Sequence, residues 1–235
     1  MNDYPIFSSY SLVQSLALAR LIERVIPRAD KPIGDLVPDV RKISTRTLPP
    51  KCEVVFIAAE RVNIVLVAGT DPGSLTDIIT DADFRRVPHP FEGWGDKIHA
   101  GFLFSSMGVA LFLINWFRQH GNPDAPIIFT GHSMGGGIVN LLPSLVYPML
   151  PMNVTQMRIR GFATPKCAGQ VYCDKFRDMF KNTLNYVTPG DPVPFFGSLQ
   201  RPGVDYVLPQ MPFFSIKHPL GKYISQLESL TNASV

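Results

Sequence analysis

The residues best placed to do chemistry lie in one pentapeptide, Gly131-His132-Ser133-Met134-Gly135. An apolar run at 127–129 precedes it, and a glycine-rich apolar segment that indicates the start of a helix follows it. A serine on a sharp turn from strand to helix is typical of a nucleophile elbow, which pushes the hydroxyl out over the sheet edge. The flanking glycines suit such a crowded turn, because they carry no Cβ. The pattern therefore predicts Ser133 as the nucleophile of an acyl transfer.

A serine nucleophile needs an imidazole to take its proton and a carboxylate to orient that imidazole. On an elbow of this kind the partners follow the serine in the order acid, then histidine. Of the five histidines only His218 follows Ser133, which makes His218 the predicted base. Four aspartates lie between them. Asp191 is the predicted acid, because it follows a predicted strand in a Pro-Gly-Asp-Pro turn, and Asp205 is held in reserve.

The oxyanion of a tetrahedral intermediate needs two N–H donors. The backbone of Met134, the residue after the nucleophile, is the predicted first donor. The second donor is expected in the loop after an earlier strand, and Thr70 ends such a strand with a hydroxyl beside its N–H. The same pattern also fits a threonine that only caps a turn, and the residues alone leave both interpretations open.

A short helix with one apolar side is predicted at about 73–82, where Leu75, Ile78 and Ile79 share a face. It is either a lid that closes over an apolar cleft or ordinary surface cover. Phe213 and Phe214 come shortly before the predicted base. They fit the lining of the same cleft and fit core packing equally well.

The composition favours an ordinary globular chain. Its 235 residues are 46% hydrophobic and 17% charged, which suits a single domain over 1–235 with a sizeable core. The net charge is +3 without a basic cluster, so a nucleic-acid partner is not expected. Three cysteines do not form a disulfide framework, although Cys167 and Cys173 could pair. No metal-ligand spacing appears, and neither a metal nor a cofactor is expected.

Alternating apolar runs predict a mostly parallel α/β sheet with helices on both faces. An amphipathic helix is expected at about 9–27, followed by an irregular connection at 28–51. The remaining predicted strands lie at 52–59, 62–68, 126–130, 157–163 and 184–187, and the remaining helices at 99–119, 137–147, 169–180 and 218–230.

Taken together, these segments resemble those of a known family, the class 3 or fungal-type lipases. The matching segments run in the family's order: Val65-Leu66-Val67-Ala68-Gly69-Thr70, Ile98-His99-Ala100-Gly101-Phe102, the stretch 128–137 around Ser133, Gly161-Phe162-Ala163-Thr164-Pro165-Lys166, the stretch 185–194 around Asp191, and His218. The segment around Asp191 is the most discriminating, because many hydrolases share the elbow. Residues 1–51 lie outside the match.

The resemblance implies the α/β-hydrolase fold with a small lid helix at about 73–82. It also implies Ser133, Asp191 and His218 as a triad, with Thr70 and Met134 as the oxyanion hole. The implied function is a serine carboxylic-ester hydrolase, in the first place a triacylglycerol lipase that works through an acyl-enzyme. A phospholipase A1, a feruloyl-type esterase or an acyltransferase is an alternative on the same scaffold. A non-catalytic lipid-binding protein is a more remote one.

The expected partner is a lipid ester, met at a lipid–water interface. No protein partner is evident. The apolar stretches 109–117 and 137–150 are too short or too broken by proline to span a bilayer, so no transmembrane segment is predicted. No signal peptide is visible at the start, which fits either a cytoplasmic protein or a mature secreted form.

Overall fold

The computed structural model describes residues 11–25, 33–48, 52–69, 85–195, 198–209 and 220–233. Within them, seven strands form one sheet in the order β1-β2-β3-β6-β7-β8-β9, and a two-residue pair, β4 with β5, lies apart. The strands are β1 (Val40–Leu48), β2 (Cys52–Ala59), β3 (Asn63–Val67), β4 (Arg86–Val87), β5 (Ile98–His99), β6 (Ile127–His132), β7 (Met157–Phe162), β8 (Thr183–Val187) and β9 (Val204–Val207). The first three are antiparallel neighbours, and β3, β6, β7, β8 and β9 run parallel.

Five helices cover the two faces of the sheet, in agreement with the predicted α/β architecture. They are α1 (Ser11–Val25), α2 (Ala100–His120), α3 (Met134–Val146), α4 (Gln170–Met179) and α5 (Leu220–Asn232). Helices α2, α3 and α4 pack on one face and α1 and α5 on the other, each against its own apolar cluster. The middle strands have apolar side chains toward both layers, as strands of a covered parallel sheet must.

The expectation of an irregular connection over 28–51 is wrong at its second half, because β1 occupies Val40–Leu48. This strand pairs along its length with β2 at the edge of the sheet. An edge strand whose residues are mostly exposed needs no alternation of apolar and polar residues, and charged residues are usual there. The residues of β1 therefore show no apolar pattern that would predict a buried strand, although the β-branched ones among them suit a strand.

Helix α2 is unusually apolar for its 21 residues. It is long and apolar enough, by length and composition alone, to cross a membrane, and half of its most apolar window is buried inside the protein. One side of the helix packs on α3 and the sheet, with Leu113 and Phe117 in the core. A buried core helix passes the same test of length and composition.

All three cysteines are free thiols buried in one apolar layer, and the alternative pairing of Cys167 with Cys173 is wrong. Burial raises the pKa of Cys52 to about 12 and that of Cys173 to about 12. Burial also raises the pKa of Cys167 far above its usual range. These thiols are apolar packing groups at neutral pH.

Candidate active site

Ser133 lies at the turn from β6 to α3 in a strained backbone conformation. Its φ is 58° and its ψ is −124°, a region that residues with a side chain rarely occupy. The turn is held by a hydrogen bond from the Ser133 N–H to the carbonyl of Phe162, 2.9 Å long, on the neighbouring strand β7. The strand-turn-helix context expected of an elbow is therefore present.

Glycine lets three backbone segments meet at this turn. A Cβ on Gly135 would lie 2.1 Å from the carbonyl oxygen of Val67, and one on Gly131 would lie 2.5 Å from that of Gly135. A Cβ on Gly69, at the end of β3, would lie 2.9 Å from the carbonyl oxygen of His132. The segment that leads into Thr70 thus touches the elbow directly.

The Ser133 side chain is only about 1% exposed. Its Oγ has no hydrogen-bond partner among the described residues. Met134 is the first residue of α3, where the amides of a helix have no partner within the helix and carry the positive end of its dipole. A negative charge that develops beside Ser133 would therefore face a favourable potential.

Asp191 follows β8, so it lies at the same edge of the parallel sheet as Ser133. The chain reverses there in a turn in which the Asp191 N–H donates a hydrogen bond of 3.0 Å to the carbonyl of Thr188. The carboxylate is buried and accepts hydrogen bonds from the Val193 N–H at 3.0 Å and the Tyr223 hydroxyl at 2.8 Å. These donors fix its orientation.

Tyr223, on α5, is a site residue that sequence reasoning missed. Its hydroxyl donates to Asp191, and its ring meets the ring of His132 edge-on with 6.3 Å between centroids. Burial, and then the negative charge of Asp191, raise the pKa of Tyr223 far above its usual range, so the hydroxyl remains a donor. A signal was present, because Tyr223 shares the apolar face of Ile224 and Leu227, and a buried tyrosine hydroxyl needs a partner.

Arg201 anchors the loop that carries Asp191. One guanidinium nitrogen donates to the carbonyls of Pro194, at 2.8 Å, and Thr164. The other two bind the carboxylate of Asp205 at 2.7 Å each. The reserve acid Asp205 is thus an exposed residue of β9 engaged in an ion pair, and the loops after β7 and β8 are held together.

Helix α3, which begins directly after Ser133, rests on a buried polar cluster that could not be predicted from the sequence. His89 accepts from the Phe91 N–H at 3.1 Å through Nδ1, so its proton is assigned to Nε2, which lies 3.0 Å from Ser144 Oγ on α3. The Tyr172 hydroxyl donates to the same Oγ at 2.9 Å. Burial lowers the pKa of His89 to about 4. The cluster fastens the segment before α2 to the helix of the elbow.

The remaining predicted site residues lie outside the described part of the chain. They are His218, Thr70, the lid residues Leu75, Ile78 and Ile79, and the aromatic pair Phe213 and Phe214. Their positions stay predictions. Within the described ranges, no three His, Cys, Asp or Glu side chains come together in a way that could hold a metal ion.

Several fungal lipases of known structure share this fold. A triacylglyceride lipase from Rhizomucor miehei is 21% identical, with a TM-score of 0.70 over 86% of this chain and 81% of the other. A lipase from Rhizopus microsporus var. chinensis is 21% identical, with a TM-score of 0.69 over 85% and 75%. The Lip2 lipase from Yarrowia lipolytica is 16% identical, with a TM-score of 0.62 over 83% and 76%. At these identities the likeness shows the fold.

The family itself is established by sequence. No curated protein matches the chain significantly. The sequence profile of the class 3 lipases, however, matches residues 64–200, more than half of the chain. This range includes the elbow at Ser133 and the turn at Asp191. The chain belongs to the class 3 lipase family, and by that membership it is a carboxylic ester hydrolase.

Proposed function

We propose that the protein is a serine triacylglycerol lipase in which Ser133, His218 and Asp191 act as the triad. The observation that carries the proposal is the strained, buried Ser133 at an edge of the sheet where the Asp191 carboxylate is also fixed. Backbone strain of this kind costs about 1–3 kcal/mol and persists only where the surroundings impose it, typically at functional sites. The family to which the chain belongs supports the same assignment.

In the proposed reaction, His218 takes the proton of Ser133 Oγ as that oxygen bonds to the ester carbonyl carbon. The carbonyl oxygen becomes an oxyanion, which accepts hydrogen bonds from the N–H of Met134 and from Thr70. The bond from carbon to the alcohol oxygen breaks, and His218 gives the leaving oxygen its proton. A water molecule then attacks the acyl-enzyme in the same way, which releases the fatty acid and restores Ser133.

A fluorophosphonate probe tests the nucleophile. We expect stoichiometric covalent labelling of the folded protein at Ser133, located by peptide mass spectrometry. Labelling should disappear in Ser133→Ala and persist in the matched variant Ser105→Ala, which removes a serine hydroxyl from α2. Folded protein that does not react, or that reacts at another serine, would contradict the assignment of Ser133.

A substrate panel tests the finer assignment. Emulsified triacylglycerols, phospholipid vesicles and aryl esters are compared by kcat/KM, with Ser133→Ala as the background. We expect the highest value for triacylglycerols. A preference for the sn-1 ester of phospholipids, or for feruloyl esters, would overturn the triacylglycerol assignment and leave the serine hydrolase intact.

A further inference from the structure

A mixed groove lies between the edge strand β1 and helix α2, away from the elbow. Its volume is about 280 Å³, and its lining combines two cationic side chains with aromatic rings and amides. The strand contributes Lys42, Ser44 and Arg46, and the helix contributes Phe112, Asn115 and Trp116. None of these residues takes part in the proposed reaction.

The groove is built by the sheet register. Lys42, Ser44 and Arg46 alternate along β1, so their side chains share one face of the strand. That face is the one on which α2 packs, because Ser44 pairs with Phe56, whose ring contacts Trp116 with 5.5 Å between centroids. The Trp116 Nε1–H donates to Ser44 Oγ at 3.0 Å, which fastens the helix to the strand.

Among the described residues, no acidic side chain is paired with the cations of the groove. Neither Lys42 nor Arg46 forms an ion pair with a described residue, and neither β1 nor α2 contains an acidic residue. Of the nearby acids on the neighbouring strand and turn, Glu60 is paired with Arg41 at 3.5 Å. Glu53 lies opposite Thr47 in the register of β1 and β2, so its side chain is on the face of the sheet away from the groove.

An apolar stripe on α2 continues from the groove. Phe104 is 53% exposed and Leu111 is 69% exposed, and Met107 and Phe112 are also exposed. The spacing of three and four residues places Phe104, Met107 and Leu111 along one side of the helix. Phe112 lies about 100° further round the helix, where it lines the groove. Single exposed apolar residues are ordinary, whereas several large ones along one side of a helix indicate an interaction surface.

We propose that the groove and the stripe form a docking surface for membranes that contain anionic phospholipids. Lys42 and Arg46 bind lipid phosphates, and the aromatic rings that line the groove pack against the glycerol and upper acyl region. Phe104, Met107 and Leu111 enter the apolar layer at the membrane surface. This inference goes beyond the proposed function, because it concerns attachment of the protein to a surface and involves none of the triad.

Charge complementarity selects this occupant. If a second copy of the chain met this face through its own β1 and α2, it would offer Lys42 and Arg46 no acidic partner, because neither element contains an acidic residue. A soluble anion would satisfy the groove and leave the stripe exposed. An anionic bilayer satisfies both, because it offers phosphates above an apolar layer.

The same geometry relates docking to the elbow. The first turns of α2 lie beside α3, since a Cβ on Gly137 would lie 2.8 Å from the Phe102 ring and Ser106 Oγ donates to the Ile138 carbonyl at 3.2 Å. Phe104 therefore lies at the end of α2 that is close to the elbow. Docking through the stripe brings this end of the helix to the lipid.

Vesicle flotation with the full chain tests the proposal. The protein carries Ser133→Ala, so that lipid is not consumed and the result does not depend on catalysis. We expect binding to vesicles of phosphatidylcholine with 30% phosphatidylglycerol, weaker binding to pure phosphatidylcholine, and a decrease as salt is raised from 50 to 500 mM. The double variant Lys42→Glu/Arg46→Glu should lower the partition coefficient at least tenfold, and Leu111→Gln should lower it several-fold.

The matched control is Lys97→Glu/Lys181→Glu, which changes the net charge equally and involves two exposed lysines outside the groove. It should retain partitioning within about twofold. Thermal unfolding verifies that each variant is folded, and Lys42→Gln/Arg46→Gln replaces the charge reversal if that variant does not fold. Equal partitioning into both vesicle types, equal losses in the control, or a dimer that Leu111→Gln dissociates without any vesicle binding would overturn the proposal.

Discussion

At the scale of single residues, Tyr223 is the group beside Asp191 with the clearest mechanical consequence. In the proposed triad Asp191 would present one face of its carboxylate to the imidazole, and the Tyr223 hydroxyl donates to the Oδ2 atom of that carboxylate at 2.8 Å. The Tyr223 ring also contacts His132, the residue before the nucleophile. We infer that Tyr223 positions the acid relative to the elbow and does not touch the substrate.

Replacing Tyr223 by phenylalanine removes only this hydroxyl. We expect kcat to fall roughly 10- to 150-fold with little change in KM, because a hydrogen bond to a charged group contributes about 1.5–3 kcal/mol. The carboxylate loses a donor and stabilises the imidazolium more, so the acid limb of the profile of kcat/KM against pH should move to higher pH.

Two further variants serve as the negative and the positive control for Tyr223→Phe. Tyr206→Phe removes a hydroxyl from a half-buried tyrosine whose ring packs at a tilt against that of Tyr186, and it should leave both kcat and the pH profile unchanged. Asp191→Asn should lower kcat by roughly 10³-fold or more, since the orienting charge is lost. If Tyr223→Phe behaves like Tyr206→Phe, the hydroxyl has no positioning role.

At the scale of elements, the predicted lid is bounded by two anchored ends. Gly69 packs against the elbow on one side. On the other side Arg86 belongs to β4, pairs with β5 and donates to Ser198 Oγ at 2.5 Å. The predicted lid helix at about 73–82 is thus connected at both ends to residues with fixed packing, and its movement stays a prediction.

The lid hypothesis predicts interfacial activation. Hydrolysis of tributyrin should rise sharply once its concentration exceeds the solubility limit and droplets form. Ile78→Ser should weaken this rise, because the lid would lose apolar contact with the interface. The matched variant Val171→Ser, at an exposed apolar position on α4, should retain it. A response that stays linear across the limit would reduce 73–82 to surface cover.

The segment before α2 contributes a pH dependence of stability. His89 has a pKa of about 4 in the folded protein, against about 6.5 for a free histidine. As pH falls below about 6.5, the unfolded chain binds a proton that the folded protein does not, so the free energy of unfolding decreases until the pH reaches about 4. The gap between the two values corresponds to at most roughly 3 kcal/mol.

His89→Gln isolates this contribution. The variant should be less stable than the wild type at pH 7, and the difference should shrink between pH 6.5 and 4, as measured by urea unfolding at each pH. His120→Gln, which alters a histidine at the end of α2, serves as the control. A difference between His89→Gln and wild type that stays constant over this range would show that His89 is not held neutral.

At the scale of the whole molecule, the sheet shows what the sequence could and could not predict. The buried strands β2, β3, β6, β7 and β8 and all five helices were predictable, because burial on one or both faces imposes an apolar period. The edge strands β1 and β9 were missed, since Val40–Leu48 and Val204–Val207 are mostly exposed and carry no such pattern.

The candidate site also has parts that the sequence could predict and parts that it could not. The turns that carry Ser133 and Asp191 could be predicted, because glycine and proline mark them in the sequence, and the roles of the two residues stay a proposal. Tyr223 and Arg201 act through contacts between residues distant in the chain. The apolar face of α5 indicates that Tyr223 is buried, but no local pattern identifies the partner of either residue. The expectation of a single domain over 1–235 stays a prediction.

The three buried thiols can be used to measure how often the apolar layer that contains them opens to solvent. Cys52, Cys167 and Cys173 lie in the layer formed by α2, α3 and α4, each with a raised pKa. A thiol reagent in solution reacts with the thiolate form and cannot reach these sulfurs while the layer stays closed. The rate at which such a reagent consumes them therefore measures how often this layer separates from the sheet, without any introduced label.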